Sequence, residues 1–411
     1  MSNGQRFDTA ELDPAKYKSP RQRRPRKGQR KREGRAPKWV YRIILILILC
    51  FASMLLWFNR SNLTPENVLD WAQTQIVGMG TGDGFPYEIA GNEVSSGNFK
   101  SMNKELVMVR DTELTVLNST AKETLSRQHS FSKPVMKLNG PRTLIYNLGG
   151  VGYQIETQRS TAVKGNTSGN ILCGALAGNG RYALITQESG YCGYLTAYLP
   201  NNQPMFHYWF SEYYPTAAAL NARGTKAVVT GASAKDGGLT SAVYLLNFSD
   251  SKPVSPIGTY TENMMVDTAF YDDGTAVAVG DRLTAVINTD TGKKVDFDYE
   301  GKQLAAYDMN NGKTALSLVP YQNSASSELV VLDTSGKAAA TIPLKQAVKS
   351  VSLFGGTVAA LADGRVYFYS ASTGAAQGSC SAGNDAAAIA LGSETSVYIL
   401  GVTEVRQGTA G

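Results

Sequence analysis

Asp273-Gly274-Thr275-Ala276-Val277-Ala278-Val279-Gly280, then Leu283-Thr284-Ala285-Val286-Ile287-Asn288, then Thr289-Asp290-Thr291-Gly292-Lys293-Lys294-Val295-Asp296-Phe297, is the stretch on which the fold turns. A tight-turn pair opens a buried inner strand, a third strand follows, and a Thr-Gly turn leads into an outer strand. The opening pair has counterparts at Asn103-Lys104, Asn139-Gly140, Asn179-Gly180, Arg223-Gly224, Asn311-Gly312, Gly355-Gly356 and Ser393-Glu394, each just ahead of an apolar β-rich run. The intervals are 36, 40, 44, 50, 38, 44 and 38 residues. Four short strands with their turns fill that length, which is the period of a propeller blade. The expected fold is all-β: a β-propeller of eight blades of four antiparallel strands, or seven should 103–130 or 139–168 merge with a neighbour.

Strand counting also suggests how the ring closes. The eighth unit, Ala386–Leu391, Ser396–Leu400 and Thr403–Arg406, runs out after three strands. Phe85–Ala90 stands ahead of the first unit and is expected to supply the missing outer strand, removing the open edges that promote aggregation.

The third-strand grammar repeats in Leu329–Lys337, Val366–Gly374 and Leu114–Lys122: an apolar strand, then Asp, Asn or Ser, then a turn that in its full form ends Thr/Ser-Gly-Lys. It resembles the blade of quinoprotein-like (PQQ-type repeat) propellers, a type seen also in the propeller scaffold of outer-membrane protein assembly. The resemblance covers roughly 85–407. The docking Trp of such blades is missing at Val295, Ala339 and Ala376, and no adjacent cysteine pair occurs, so a redox quinone is not implied. The Gly-His and Trp-Asp pairs of WD40 blades are absent as well. In its whole layout, with a basic N-terminal tail, one apolar run at 43–58, Thr64-Pro65-Glu66-Asn67 in the stalk and Gly82-Asp83-Gly84-Phe85-Pro86 at the entry to the repeats, the chain is similar to an uncharacterised family of single-pass, membrane-anchored propellers of Gram-positive bacteria, a likeness that implies no activity.

Ahead of the repeats the composition changes. Residues 1–42 carry fourteen Lys/Arg against four acids, while the rest of the chain carries 26 against 30. Residues 1–38 read as a disordered cytoplasmic tail, too poor in apolar residues to bury a core. Its basic run, Arg21, Arg23, Arg24, Arg26, Lys27, Arg30, Lys31 and Arg32, suits anionic lipid headgroups, at about 1 kcal/mol per residue near the surface. Nucleic acid is the lesser reading of the same run. Residues 39–59 read as a transmembrane helix: Ile43–Phe58 is free of charge, and with Val40 and a snorkelling Arg42 it reaches the roughly 17 to 25 residues a bilayer needs. The basic excess on the N-terminal side places the tail in the cytoplasm and the body outside. Residues 60–84 read as a stalk, with a helix from Thr64 to Val77 capped by Thr64 and with Pro65 at its first position, then the glycine-rich Gly78–Pro86 as a swivel. The propeller takes 85–407, and 408–411 form a C-terminal tail.

Within a blade, the first-to-second and third-to-fourth turns share one face; the second-to-third turns and interblade crossovers share the other. The first set is tight. The second includes Gly231–Leu239, Val319–Ser327 and the Glu212–Pro215 crossover, and long loops on a rigid scaffold are where binding usually resides. Candidate ligand- or partner-binding residues on this long-loop face are Tyr208, Trp209, Tyr213, Tyr214, Lys235, Asp236 and Tyr321. In His207–Tyr214, alternation puts His207, Trp209 and Ser211 on one side and Tyr208 and Phe210 on the other. The segment reads either as a sugar or peptide platform or, preferred, as an outer strand packed between blades.

Catalytic signals are thin. His129 and His207 are the only histidines, they lie nearly two blades apart, and no Gly-x-Ser-x-Gly elbow occurs. Asp267, Asp272, Asp273 and Asp308 stand near first strands and could converge at a central channel. Cys173 and Cys192 belong to one blade but to strands that are not expected to be neighbours, which disfavours a disulfide, and no Cys/His spacing resembles a metal site. The expectation is therefore no enzyme, no cofactor and no metal. It is an extracytoplasmic binding or scaffold module at the cell membrane, recognising a protein or wall polymer. A glycosidase-like or metal-dependent enzyme and a sensor acting through the tail are the alternatives.

Overall fold

The computed structural model describes residues 38–58, 80–89, 94–250, 253–322 and 325–411. The basic run at 21–32 and the stalk-helix segment 64–77 lie outside the described residues. The chain forms two compact units, 1–57 and 58–411.

In the first unit, helix α1 runs Lys38–Phe58 and leaves Ile43 through Leu49 exposed. Its side chains at 38, 52 and 55–58 lie outside the described residues. Among the described residues no helix is long and apolar enough to cross a membrane. The span expected over 39–59 is therefore not seen, and the case for it rests on sequence alone.

The second unit is a ring of eight four-stranded antiparallel sheets. Blades 1 to 7 span 99–128, 134–166, 171–210, 214–261, 265–298, 303–344 and 348–381, and the seven-blade alternative falls because neither early unit merges. Blade 8 contains Ala388–Leu391, Ser396–Leu400 and Glu404–Thr409, with Tyr87–Glu88 as its outer strand. Tyr87 pairs with Val405 and Glu88 with Glu404, and Ile89 N donates to Thr403 O at 2.9 Å. The N-terminal latch is thus present, narrowed to two paired residues.

All eight recurring pairs fall where the inner strand of a blade turns into the second strand. At Asn103-Lys104 and Asn311-Gly312 both residues are left-handed (φ 50 and 71 in each case), the hairpin geometry that follows strand twist. In blades 1, 5 and 6 the Asn or Asp at the end of the third strand caps the next turn: Asn118, Asn288 and Asp333 each accept backbone N–H groups through Oδ1, from Thr120, Thr291 and Ser335 respectively.

Neighbouring blades approach closely at the third-to-fourth turns. A Cβ on Gly336 would lie 3.1 Å from Val295 of the preceding blade, and one on Gly374 would lie 3.0 Å from Ile342. Turn glycines of blades 6 and 7 therefore pack directly against the previous blade's outer strand. The core is distributed between blades. Phe99, Leu106 and Met108 of blade 1, for example, pack with Tyr398, Leu400 and Val405 of blade 8.

The glycine-rich lead-in is docked, which corrects the swivel expectation over the described part, 80–86. Asn118 Nδ2 donates to Gly80 O (2.9 Å), Gly82 N to Thr120 Oγ1 (2.8 Å) and Gly84 N to Thr120 O (3.1 Å). The glycines permit close approach to the blade 1 turn: a Cβ on Gly82 would sit 2.4 Å from Lys122 N and Thr120 O.

Candidate functional site

Inner strands have no strand beside their central edge, so their backbone groups need other partners. Short polar side chains of neighbouring blades supply them. Asn98 bridges blades 1 and 2, accepting from Met136 N (3.0 Å) and donating to Pro134 O (2.8 Å). Asp308 Oδ2 accepts from Leu353 N (2.8 Å), joining blades 6 and 7, and Ser352 Oγ accepts from Leu391 N (2.9 Å), joining 7 and 8. Inside this laced wall lies a channel of about 810 Å³.

Two ion pairs cross the channel. Lys100 Nζ of blade 1 meets Asp308 Oδ1 of blade 6 at 3.1 Å, and Lys137 Nζ of blade 2 meets Asp267 Oδ1 of blade 5 at 3.2 Å. Asp308 across the channel holds the Lys100 ammonium above the ordinary lysine range, burial working against it. Of the four carboxylates singled out in sequence, Asp267 and Asp308 thus reach the channel and are bound to lysines. Asp272 and Asp273 stay on the tight-turn side, where Asp272 Oδ1 accepts from Gly274 N (2.8 Å) and Asp273 pairs with Arg223 (2.9 Å). Cys173 lines the channel with its thiol pushed up to about 12 by burial, so it stays protonated and unreactive at neutral pH. Cys173, Cys192 and Cys380 are free thiols, with Cys173 and Cys192 on non-adjacent strands of blade 3. Among the described residues no group of His, Cys, Asp and Glu is arranged to hold a metal ion.

The inner strands of blades 3 to 7 share an irregularity at their long-loop ends. Each carries a β-bulge at its second or third residue: Leu172, Thr216, Val266, Ala305 and Lys349. A bulge re-aims the extra side chain; Thr216, Val266, Ala305 and Lys349 line the channel, and Leu172 lines a smaller pocket that shares Thr216 and Val266 with it. Blades 1, 2 and 8 pair without a bulge.

The same face collects exposed apolar groups. Of the ten large apolar side chains described as exposed on the ring, nine lie at or beside second-to-third turns or interblade crossovers. Val295 on the outer strand of blade 5 is the exception. Tyr321 (83% exposed), Val402 (71%) and Tyr214 (62%) are the most open, and Leu148 and Met264 stand at the mouth of the channel.

The seven residues proposed from sequence fall in three places. Tyr208 and Tyr213 are half-buried between blades 3 and 4, with Tyr208 donating to Val254 O (2.9 Å) and Tyr213 edge-on to Tyr244. Trp209 faces outward with Tyr194 (4.8 Å between ring centroids), whose hydroxyl meets His207 Nδ1 at 2.6 Å. Tyr214 begins the inner strand of blade 4 and is open. Lys235 and Asp236 lie at the tip of a hairpin of two ten-residue strands, Lys226–Lys235 and Gly238–Asn247, with Asp236 and Gly237 left-handed. This corrects the loop expected over 231–239: Gly-Gly follows Asp236, and the alternating run on either side carries the ladder into the tip. The expected contrast in turn length is corrected with it, since the second-to-third turns are two residues in blades 3, 4, 5 and 7, with 320–326 of blade 6 the long one, and the opposite face carries the ten-residue connection 248–257 of blade 4. Tyr321 stands two blades away. Sequence reading missed Lys100 and Lys137, each a lone charge in a short inner strand, and the bulge residues, which leave no mark in residue type.

Eight closed blades around a lined channel define an eight-bladed β-propeller. The chain belongs to a family of unknown function, DUF5711, whose model matches residues 87–406, from the latch strand into the last strand of blade 8. No curated protein matches the chain. Among solved structures, Sqt1 from Saccharomyces cerevisiae is similar with a TM-score of 0.55 at 11% identity, covering 80% of this chain and 100% of that one. The C-terminal WD40 domain of Sif2 is similar at 0.54 and 10%, covering 80% and 99%. BamB from Moraxella catarrhalis aligns at 0.49 and 10%, covering 79% and 100%. At these identities the first two establish the propeller fold alone.

Proposed function

We propose that this chain is a membrane-anchored binding or scaffold module of the cell envelope, held outside the cytoplasm by a single span at 39–59 and recognising a protein through its long-loop face. The observation that carries the binding reading is the gathering of nine of ten exposed large apolar side chains on that face. Apolar groups gathered on one face of a rigid scaffold suit a protein partner. A wall polymer is the second ligand class, favoured by the outward aromatic group of Tyr191, Tyr194 and Trp209 on blade 3. The anchor and its orientation rest on the uncharged run 43–58 and the basic excess before it. The tail then meets anionic headgroups. The likeness to quinoprotein blades brings no cofactor with it.

Two measurements test this reading. In cells expressing the chain with its own cysteines replaced by serine, a cysteine at Asp236 should react with a membrane-impermeant maleimide and one at Ser19 should not. The reverse pattern overturns the topology. Chemical crosslinking in the native membrane should then attach a protein or polymer to the parent chain and lose it in the double variant Tyr321→Glu, Val402→Glu; unchanged capture would remove the face from the account.

A further inference from the structure

The mouth of the channel has features that a merely sticky face does not require. A second cavity of about 440 Å³ opens there, within the roughly 300–1,000 Å³ of ligand pockets. Leu148, Leu172, Pro215, Met264 and Val266 form its apolar lining, with Lys133 at the rim. It shares Thr216 and Val266 with the channel, so an occupant passing the mouth meets the channel wall next.

Charge in that wall is unbalanced. Lys100 and Lys137 are each matched by an aspartate, whereas Lys349, the bulged residue of blade 7, makes no ion pair among the described residues. Lys133 makes none either. The bulge of blade 7 thus sets Lys349 in the channel wall, and Lys133 stands in the apolar pocket at the mouth, two cations with no ion-pair partner among the described residues. The complementary ligand has an apolar body and one anionic end.

A backbone edge lies beside the same mouth. The ten-residue hairpin of blade 4 runs past the start of the inner strand: Tyr214 pairs with Ala232, and Ser233, Ala234 and Lys235 have no strand on that side. Such an edge accepts an extended peptide, which an acyl chain cannot imitate.

We propose that the long-loop mouth binds the C-terminal end of a peptide chain, its last apolar side chain seated among Leu148, Leu172, Met264 and Val266 and its carboxylate paired with Lys349. This deepens the protein-binding reading of the face and rests on it. The test uses the full chain in lipid nanodiscs and two fluorescent hexapeptide pools, with Leu, Val or Phe fixed at the last position, as free acids and as amides. The acids should bind about tenfold or more tightly than the amides, as expected for a charge-assisted contact. Lys349→Gln, with thermal unfolding unchanged, should bring the two pools level, and Val266→Glu should weaken both. Equal binding of acid and amide, or binding of neither, overturns the proposal. So does displacement by decanoate as effective as by the acid pool, which would assign the mouth to acyl carboxylates. If a partner crosslinked through Tyr321 is still captured by the Val266→Glu chain, the mouth fails as the peptide site while the face-level reading stands.

Discussion

At the turn between the third and outer strands of blade 1, Ala121 holds the left-handed position (φ 59) that Gly292, Gly336 and Gly374 hold in blades 5, 6 and 7. An L-residue there is strained by its Cβ. Ala121→Gly should therefore raise stability, by about 1 kcal/mol. Gly336→Ala should lower it by about 2 kcal/mol, since it combines a φ of 77 with a Cβ only 3.1 Å from Val295. Urea unfolding of the two variants checks both signs. His129 offers a second single-residue test. Its Nε2 lies 3.0 Å from Arg110 O while Nδ1 accepts from Phe131 N (3.3 Å), an arrangement of the neutral ring. Burial pushes its pKa below the ordinary histidine value, with Asp111 and Glu113 pulling the other way. The unfolded chain therefore takes up the proton first, near pH about 6.5, and stability should fall as pH drops through that value and level off below the folded pKa. His129→Gln should flatten this slope between pH 7.5 and 5, measured as urea midpoints, and a slope unchanged by the substitution would contradict the assignment.

Among the elements, the hairpin turns were the most legible part of the chain because they are written in residue type: the glycines of Asn139-Gly140, Asn179-Gly180, Asn311-Gly312 and Thr291-Gly292 hold left-handed positions that few other residues tolerate. The alternation in His207–Phe210 was legible for the same local reason, placing Tyr208 and Phe210 inward and Trp209 outward. Long-range pairing was not. Lys100 and Asp308 are 208 residues apart and Lys137 and Asp267 are 130 apart, and each reads alone as an ordinary charge in a short strand. Bulges are invisible in sequence because they are slips of register, and Leu172 or Ala305 fits a regular strand equally well. The latch joins both kinds. Its existence followed from counting strands, but its docking on blade 1 depends on contacts that only the folded chain makes. Gly82→Ala would drive a Cβ into the backbone at Lys122 and Thr120 and should detach the lead-in. Amide exchange should then quicken at Tyr87–Ile89 and along Glu404–Thr409 while blade 5 stays protected; equal quickening in blade 5 would mean global destabilisation instead of an opened latch.

On the scale of the whole molecule, the ring separates two surfaces of different character. One carries the first-to-second and third-to-fourth turns, several of whose glycines pack into the interblade joints. The other carries the bulges, the long hairpin and nearly all the exposed apolar groups, around a channel held across its width by two lysine–aspartate pairs. That division is the central claim, and site-specific photocrosslinking tests it most directly. A photoreactive phenylalanine analogue at position 321 or 402 in the native membrane should yield a discrete adduct, and the same group at Thr291 or Val295 should not. Adducts confined to 291 and 295 would contradict the account and place recognition on the opposite face.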